Sequence, residues 1–116
     1  MSQSLDDLVA DYRGSAAAHG AATEAGDHKK ANRQHDRLIE VLRQIRDSGA
    51  TGDKALLGLL SDENTWVRLW AASHLLRVDE DQARRTLELL SQESGVVALD
   101  AEMVLSEWHK GTLSTP

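Results

Sequence analysis

Residues 56–78 read LLGLLSDENTWVRLWAASHLLRV, and residues 86–108, thirty further on, read TLELLSQESGVVALDAEMVLSEW. Laid over one another without a gap they agree at nine of twenty-three positions, among them Leu57 with Leu87, Leu59 with Leu89, Leu60 with Leu90, Val67 with Val97, Ala71 with Ala101 and Leu75 with Leu105. Most of the agreements are apolar and spaced by three or four, the period of a helix face. The pattern therefore predicts two copies of one helical hairpin. A hairpin alone cannot bury its apolar side, and stacking copies builds the shared core of a solenoid.

Upstream of the repeat the chain is punctuated for helices. Ser4 and Asp27 stand where their side chains can cap helices, the first laying Leu5, Leu8, Val9, Tyr12 and Ala16 along one side, the second Ala31, His35, Leu38, Leu42 and Ile45. These two helices are expected to form an antiparallel hairpin, the acidic one against the basic one. Gly14 and Gly20 weaken the first helix, so it either breaks there or uses the small residues for close approach, which is the leading reading. Thr51 or Asp53 is expected to open a short third helix, Asn64 a fourth and Asp79 a fifth, and a last helix should run from beyond Gly95 to Gly111. Sustained alternation of period two, the mark of a half-buried strand, is missing from the sequence.

Composition narrows the classes of function. Apolar residues at 41% and charged residues at 28% fit a folded globular chain of 116 residues, the size of one domain. There is no Cys, which removes disulfides, thiol nucleophiles and thiolate metal sites. No apolar run is long enough to span a bilayer, and MSQSLDDLVADY lacks the layout of a signal peptide, so a cytoplasmic location is expected. The net charge of −6 is uneven: residues 27–49 carry net +2, whereas residues 79–116 hold eight acids against three bases. A phosphate-gripping surface needs the opposite sign, so nucleic-acid binding is not expected, although Lys29, Lys30, Arg33 and Arg37 keep it as an alternative.

Helical phase picks out the candidate binding residues. Val67, Ala71, His74, Leu75 and Val78 share the core face of the fourth helix, and thirty residues on Val97, Ala101, Val104, Leu105 and Trp108 share that of the last. Trp66, Trp70, Ser73 and Arg77 lie on the flank, and Val96, Asp100, Met103 and Glu107 are their counterparts. Stacking would bring Trp70 near Asp100 and Arg77 near Glu107. Two readings of Trp66 and Trp70 stand: indoles packed between repeats, the leading one, or anchors for a protein partner, since Trp and Arg dominate binding hot spots. Trp66, Trp70, Arg77, Asp100 and Glu107 are the candidate partner-binding set.

Each candidate for chemistry has a plainer explanation. His28 and His35, two turns apart, do not close round one metal ion without ligands from elsewhere, and His74 stands in a core-facing row. Asp100, Glu102 and Glu107 form an acidic edge, and Ser15, Ser61 and Ser91 have no base and acid at recognisable spacing. No enzyme, metal or cofactor is expected.

Three segments carry a family resemblance: WVRLWAASHLL with its Leu-rich lead-in, AGDHKKANRQHDRL from Ala25 to Leu38, and AEMVLSEWHKGTL from Ala101 to Leu113. Together they resemble the small bacterial "domain of unknown function 2019" family, which implies a HEAT-like fold and supplies no activity and no site residues. The V-R-x-x-A-A pattern is also the general signature of the second helix of a HEAT repeat. Arg68 and Trp70 give way to Ala98 and Asp100 in the second copy, so any role of those side chains belongs to the first.

The fold expected is all-α, a HEAT-like α-α superhelix: a right-handed solenoid of about three hairpins and roughly six helices. It would form a single domain over 1–116, with an N-terminal hairpin at 4–49, a first repeat at 51–78 and a second at 79–111. The function expected is protein binding without catalysis, an immunity or antitoxin-type inhibitor of a basic toxin being the most concrete form. A self-associating scaffold subunit is the alternative, so the chain is expected as monomer or homodimer, with a protein partner and no membrane.

Overall fold

Four helices begin where a side-chain oxygen closes on a free backbone amide. Ser4 Oγ accepts from the N–H of Asp7 at 3.1 Å, Asp27 from Lys30 at 3.1 Å, Asn64 from Trp66 and Val67 at 2.9 and 3.2 Å, and Asp79 from Gln82 at 3.1 Å. Each satisfies a donor in the first turn that has no intrahelical partner. The computed structural model describes residues 3–114. Met1, Ser2, Thr115 and Pro116, the ends of the expected domain and the one proline, lie outside the described residues.

Among the described residues the fold is all-α, with six α-helices: α1 (Leu5–Glu24), α2 (His28–Arg46), α3 (Ala50–Gly58), α4 (Thr65–Leu75), α5 (Glu80–Ser91) and α6 (Val96–Lys110). A 3-10 turn, Leu59–Ser61, extends α3. Among the described residues no helix is long and apolar enough to cross a membrane. The backbone divides into two compact units between Leu59 and Leu60. That boundary falls inside the expected first repeat.

In the N-terminal unit α1 and α2 pack along their length around Leu8, Tyr12, Ala16, Ala31, Leu38, Val41, Leu42 and Ile45, all buried. The tight turn between two helices of nearly equal length makes them antiparallel. The acidic helix does lie against the basic one: Asp11 on α1 accepts from Arg37 on α2 at 2.9 Å. Gln3 also donates to that carboxylate, and its hydrogen bond, followed by the Arg37 guanidinium, holds Asp11 below the usual carboxylate range. Burial pushes the Tyr12 phenol well up, so the ring stays neutral in the core.

Helix α1 runs unbroken through both glycines. Gly20 is buried, whereas a Cβ built on Gly14 would meet nothing within 4 Å, so close approach does not apply there. Gly14→Ala should therefore stabilise the chain by about 0.5–1 kcal/mol, the backbone-entropy cost of glycine inside a helix. Thermal unfolding followed by circular dichroism checks it, and a lower midpoint would contradict the open surroundings. Helix α3 starts earlier than the side-chain caps at Thr51 or Asp53 suggest, because Gly49 turns the chain with φ 61 directly ahead of Ala50.

In the C-terminal unit α4, α5 and α6 pack on one another. Two core pairs of α4 and α6 keep the thirty-residue register, Val67 with Val97 and Ala71 with Ala101 all being buried, whereas Val104 and Leu105 are only half-buried where His74 and Leu75 are buried. The first helices of the two copies do not keep it. Gly52, Leu56 and Leu59 are buried on α3 and its 3-10 turn, Ala83, Leu87 and Leu90 on α5, a shift of thirty-one; Leu89, matched to Leu59 by identity, is 65% exposed. The reason lies in the run LLGLL, which contains two pairs at spacing three, Leu56 with Leu59 and Leu57 with Leu60. Identity matches the second pair, and packing buries the first.

Two further core expectations are corrected. Val78 is exposed, since α4 ends at Leu75 and its helical phase does not reach position 78. Trp108 is half-buried at the edge, its indole N–H donating to Glu80 in the first turn of α5 at 2.7 Å. The indole is amphipathic, and here its polar end decides its place.

Candidate functional site

Between helices α4 and α6 lies a half-open cavity of about 130 Å³ lined by Leu69, Trp70 and Ser73 from the first and by Asp100, Met103 and Val104 from the second. The spacing i, i+1, i+4 on α4 and i, i+3, i+4 on α6 places each trio on one face of its helix. Asn64 fixes the start of α4, so the face is set by a local cap two turns below the cavity.

The walls are apolar apart from two residues. The Ser73 hydroxyl is spent on its own helix, donating to the Leu69 carbonyl at 2.7 Å. Trp70 lies with its ring 5.5 Å from the buried His74 imidazole at an interplanar angle of 35°. The Asp100 carboxylate remains. It is half-buried, and no hydrogen bond or ion pair of the described residues reaches it; the one cause acting on its proton affinity is burial, which raises its pKa above the usual carboxylate value.

This has a consequence for stability. A carboxyl group that holds its proton more tightly in the folded chain than in the unfolded one favours folding at acid pH and loses that contribution as pH rises through its folded value. Asp100→Asn should accordingly be more stable than the parent chain at pH 7. Its advantage should fade as pH falls toward the ordinary aspartate value of about 4. Urea titrations at both pH values test this; an Asn variant less stable at pH 7 would mean that the carboxylate has a compensating partner.

Of the five residues singled out from the sequence, Trp70 and Asp100 are thus brought together. Trp66 is only 4% exposed, so its indole has no accessible face. Arg77 is exposed, Glu107 half-buried, and neither lines the cavity; among the described residues no ion pair joins them. The residues that the sequence did not single out are Leu99 and Met103, 63% and 58% exposed beside the cavity mouth, with Val96 one turn before. The signal for Met103 was available, since it aligns with flanking Ser73, whereas nothing in the alignment of Leu99 with Leu69 marked it as exposed.

None of the histidines lines the cavity. His28 is exposed, and the His35 ring lies 6.1 Å from that of His19 across the α1–α2 hairpin. Burial and then the neighbouring imidazole hold His19 below the ordinary histidine range. Among the described residues no three His, Asp or Glu side chains converge as metal ligands would.

Among the described residues the chain is all-helical, with an apolar cleft bordered by one acidic residue between α4 and α6. The chain belongs to the family described as "Domain of unknown function (DUF2019)", whose model matches residues 6–108. It is similar to a solved structure, that of the protein RPA1889 from Rhodopseudomonas palustris CGA009, with 27% sequence identity and a TM-score of 0.88 over 98% of this chain and 95% of the other. No curated protein matches.

Proposed function

We propose that the chain is a non-catalytic helical protein that acts by binding another protein, through the α4–α6 cleft and the apolar ridge of α6 beside it. The observation that carries this reading is the exposure of Leu99 and Met103 at 63% and 58%, one helical turn apart and next to an apolar cavity. Contiguous apolar surface of this kind on a folded chain marks interaction sites, whereas single exposed apolar residues do not. The charge of the same region sets the partner's sign: residues 79–116 carry net −5, which suits a basic protein and speeds its capture. An immunity-type inhibitor of a basic toxin is the form of this function that size and charge favour.

The test is capture from the native host with the parent chain and with Leu99→Glu plus Met103→Glu. Both side chains are exposed, so the double variant keeps the core; Trp66→Ala would not, because that indole is buried. A protein retained by the parent should bind the variant at least tenfold more weakly, about 1.4 kcal/mol or more. Equal retention by both would remove the ridge from the interface. Light scattering at micromolar concentration addresses the alternative that the same ridge is covered by a second copy. A mass of one chain leaves the ridge to a different protein.

A further inference from the structure

The cavity can be assigned an occupant more specific than a protein surface, and this assignment rests on the protein-binding reading. We propose that the α4–α6 cavity receives one arginine side chain of a basic protein partner, its guanidinium paired with Asp100 and its alkyl stem laid against Trp70, Met103 and Val104.

Size gives the first argument. Sites for cofactors and drug-sized ligands occupy roughly 300–1,000 Å³. A cavity of about 130 Å³ has room for a single long side chain. Polarity gives the second. With the Ser73 hydroxyl turned to the Leu69 carbonyl, the wall is almost wholly apolar and Asp100 is the one acidic residue bordering it, which is the pattern of a side chain with an apolar stem and a cationic head.

Charge gives the third. A half-buried carboxylate without a hydrogen-bond donor or a counter-ion costs stability, and the chain retains it at the wall of an otherwise apolar cleft. Among the described residues no ion pair reaches Asp100, and Arg84 on α5 is engaged with Asp81 at 3.1 Å and Glu88 at 3.0 Å. A cation brought by a partner would restore the missing interaction, and binding would then remove a penalty that the free chain carries. Arginine fits better than lysine, because the guanidinium is more weakly hydrated, bonds a carboxylate through two parallel N–H groups and stacks on an indole such as Trp70.

The experiment uses the full chain labelled with 15N and two blocked amino acids, N-acetyl-arginine methylamide and its citrulline counterpart, which has the same shape without the charge. The arginine compound should produce saturable shifts of the Trp70 indole and of the Asp100 and Met103 amides. The citrulline compound should bind at least tenfold more weakly, and Asp100→Asn, checked for folding by its thermal transition, should lose the preference. Equal binding of the two compounds, an unaltered preference in Asp100→Asn, or no saturable shift at tens of millimolar would each overturn the proposal. So would dimers that Asp100→Asn abolishes, since a second copy would then fill the cavity. If a captured partner is lost with the Leu99 and Met103 double variant but kept by Asp100→Asn, the protein-binding reading survives and the arginine does not.

Discussion

Gly52→Ala should cost about 3 kcal/mol and lower the thermal midpoint by roughly 10–20 °C, the largest effect expected from adding one methyl group to this chain. A Cβ at position 52 would run into the carbonyl oxygen of Ile45, with the carbonyl carbon behind it at 3.0 Å. That carbonyl is backbone in the last turn of α2, held in place by the N–H of Ser48 at 3.0 Å, and the Ile45 side chain is fully buried. Nothing at the contact is the free end of a flexible side chain, so relief requires α3 to move off α2. The ordinary expectation is the reverse, since alanine improves a helix that glycine weakens. Gly14→Ala in α1, where the space is open, supplies that comparison within the same unit. A Gly52→Ala chain as stable as its parent in urea, with the same slope, would show that the two helices do not approach as described.

Leu90→Ala should destabilise by about 2–5 kcal/mol, whereas Leu89→Ala should change stability by no more than about 0.5 kcal/mol. Leu90 has no exposed surface and Leu89 is 65% exposed, one residue away on the same helix. The repeat identities treat Leu89 as the equal of buried Leu59, so the pair of variants separates the register of packing from the register of the sequence. A larger loss at Leu89 would restore the thirty-residue phase throughout.

The residues of the candidate site were legible in unequal degree. Asp100 and Trp70 were reachable from the repeat, because equivalent positions of α4 and α6 carry them and the two helices pack in the same phase there. Leu99 was not, since identity with Leu69 pairs a buried residue with an exposed one: Leu69 is 4% exposed and lines the cavity. An aligned leucine records helical spacing and says nothing of what covers it. The same limit explains Trp66, whose residue type serves equally as core and as hot spot.

The sequence by itself determined the all-α class, the capped starts of four helices, the glycine stop after α6, and the contact of acidic α1 with basic α2. These features follow from interactions between groups a few residues apart or from the sign of charge along a helix, which are readable in one dimension. Only the tertiary structure decided which leucine pair of α3 is buried, that Val78 is exposed and Trp108 only half-buried, that Gly52 is required for close approach, and that a half-buried acidic residue borders an apolar cleft. Those outcomes depend on which surfaces meet. Two helical phases or two fates of an indole can satisfy the same local pattern, and they differ in energy only once a neighbouring helix is in place.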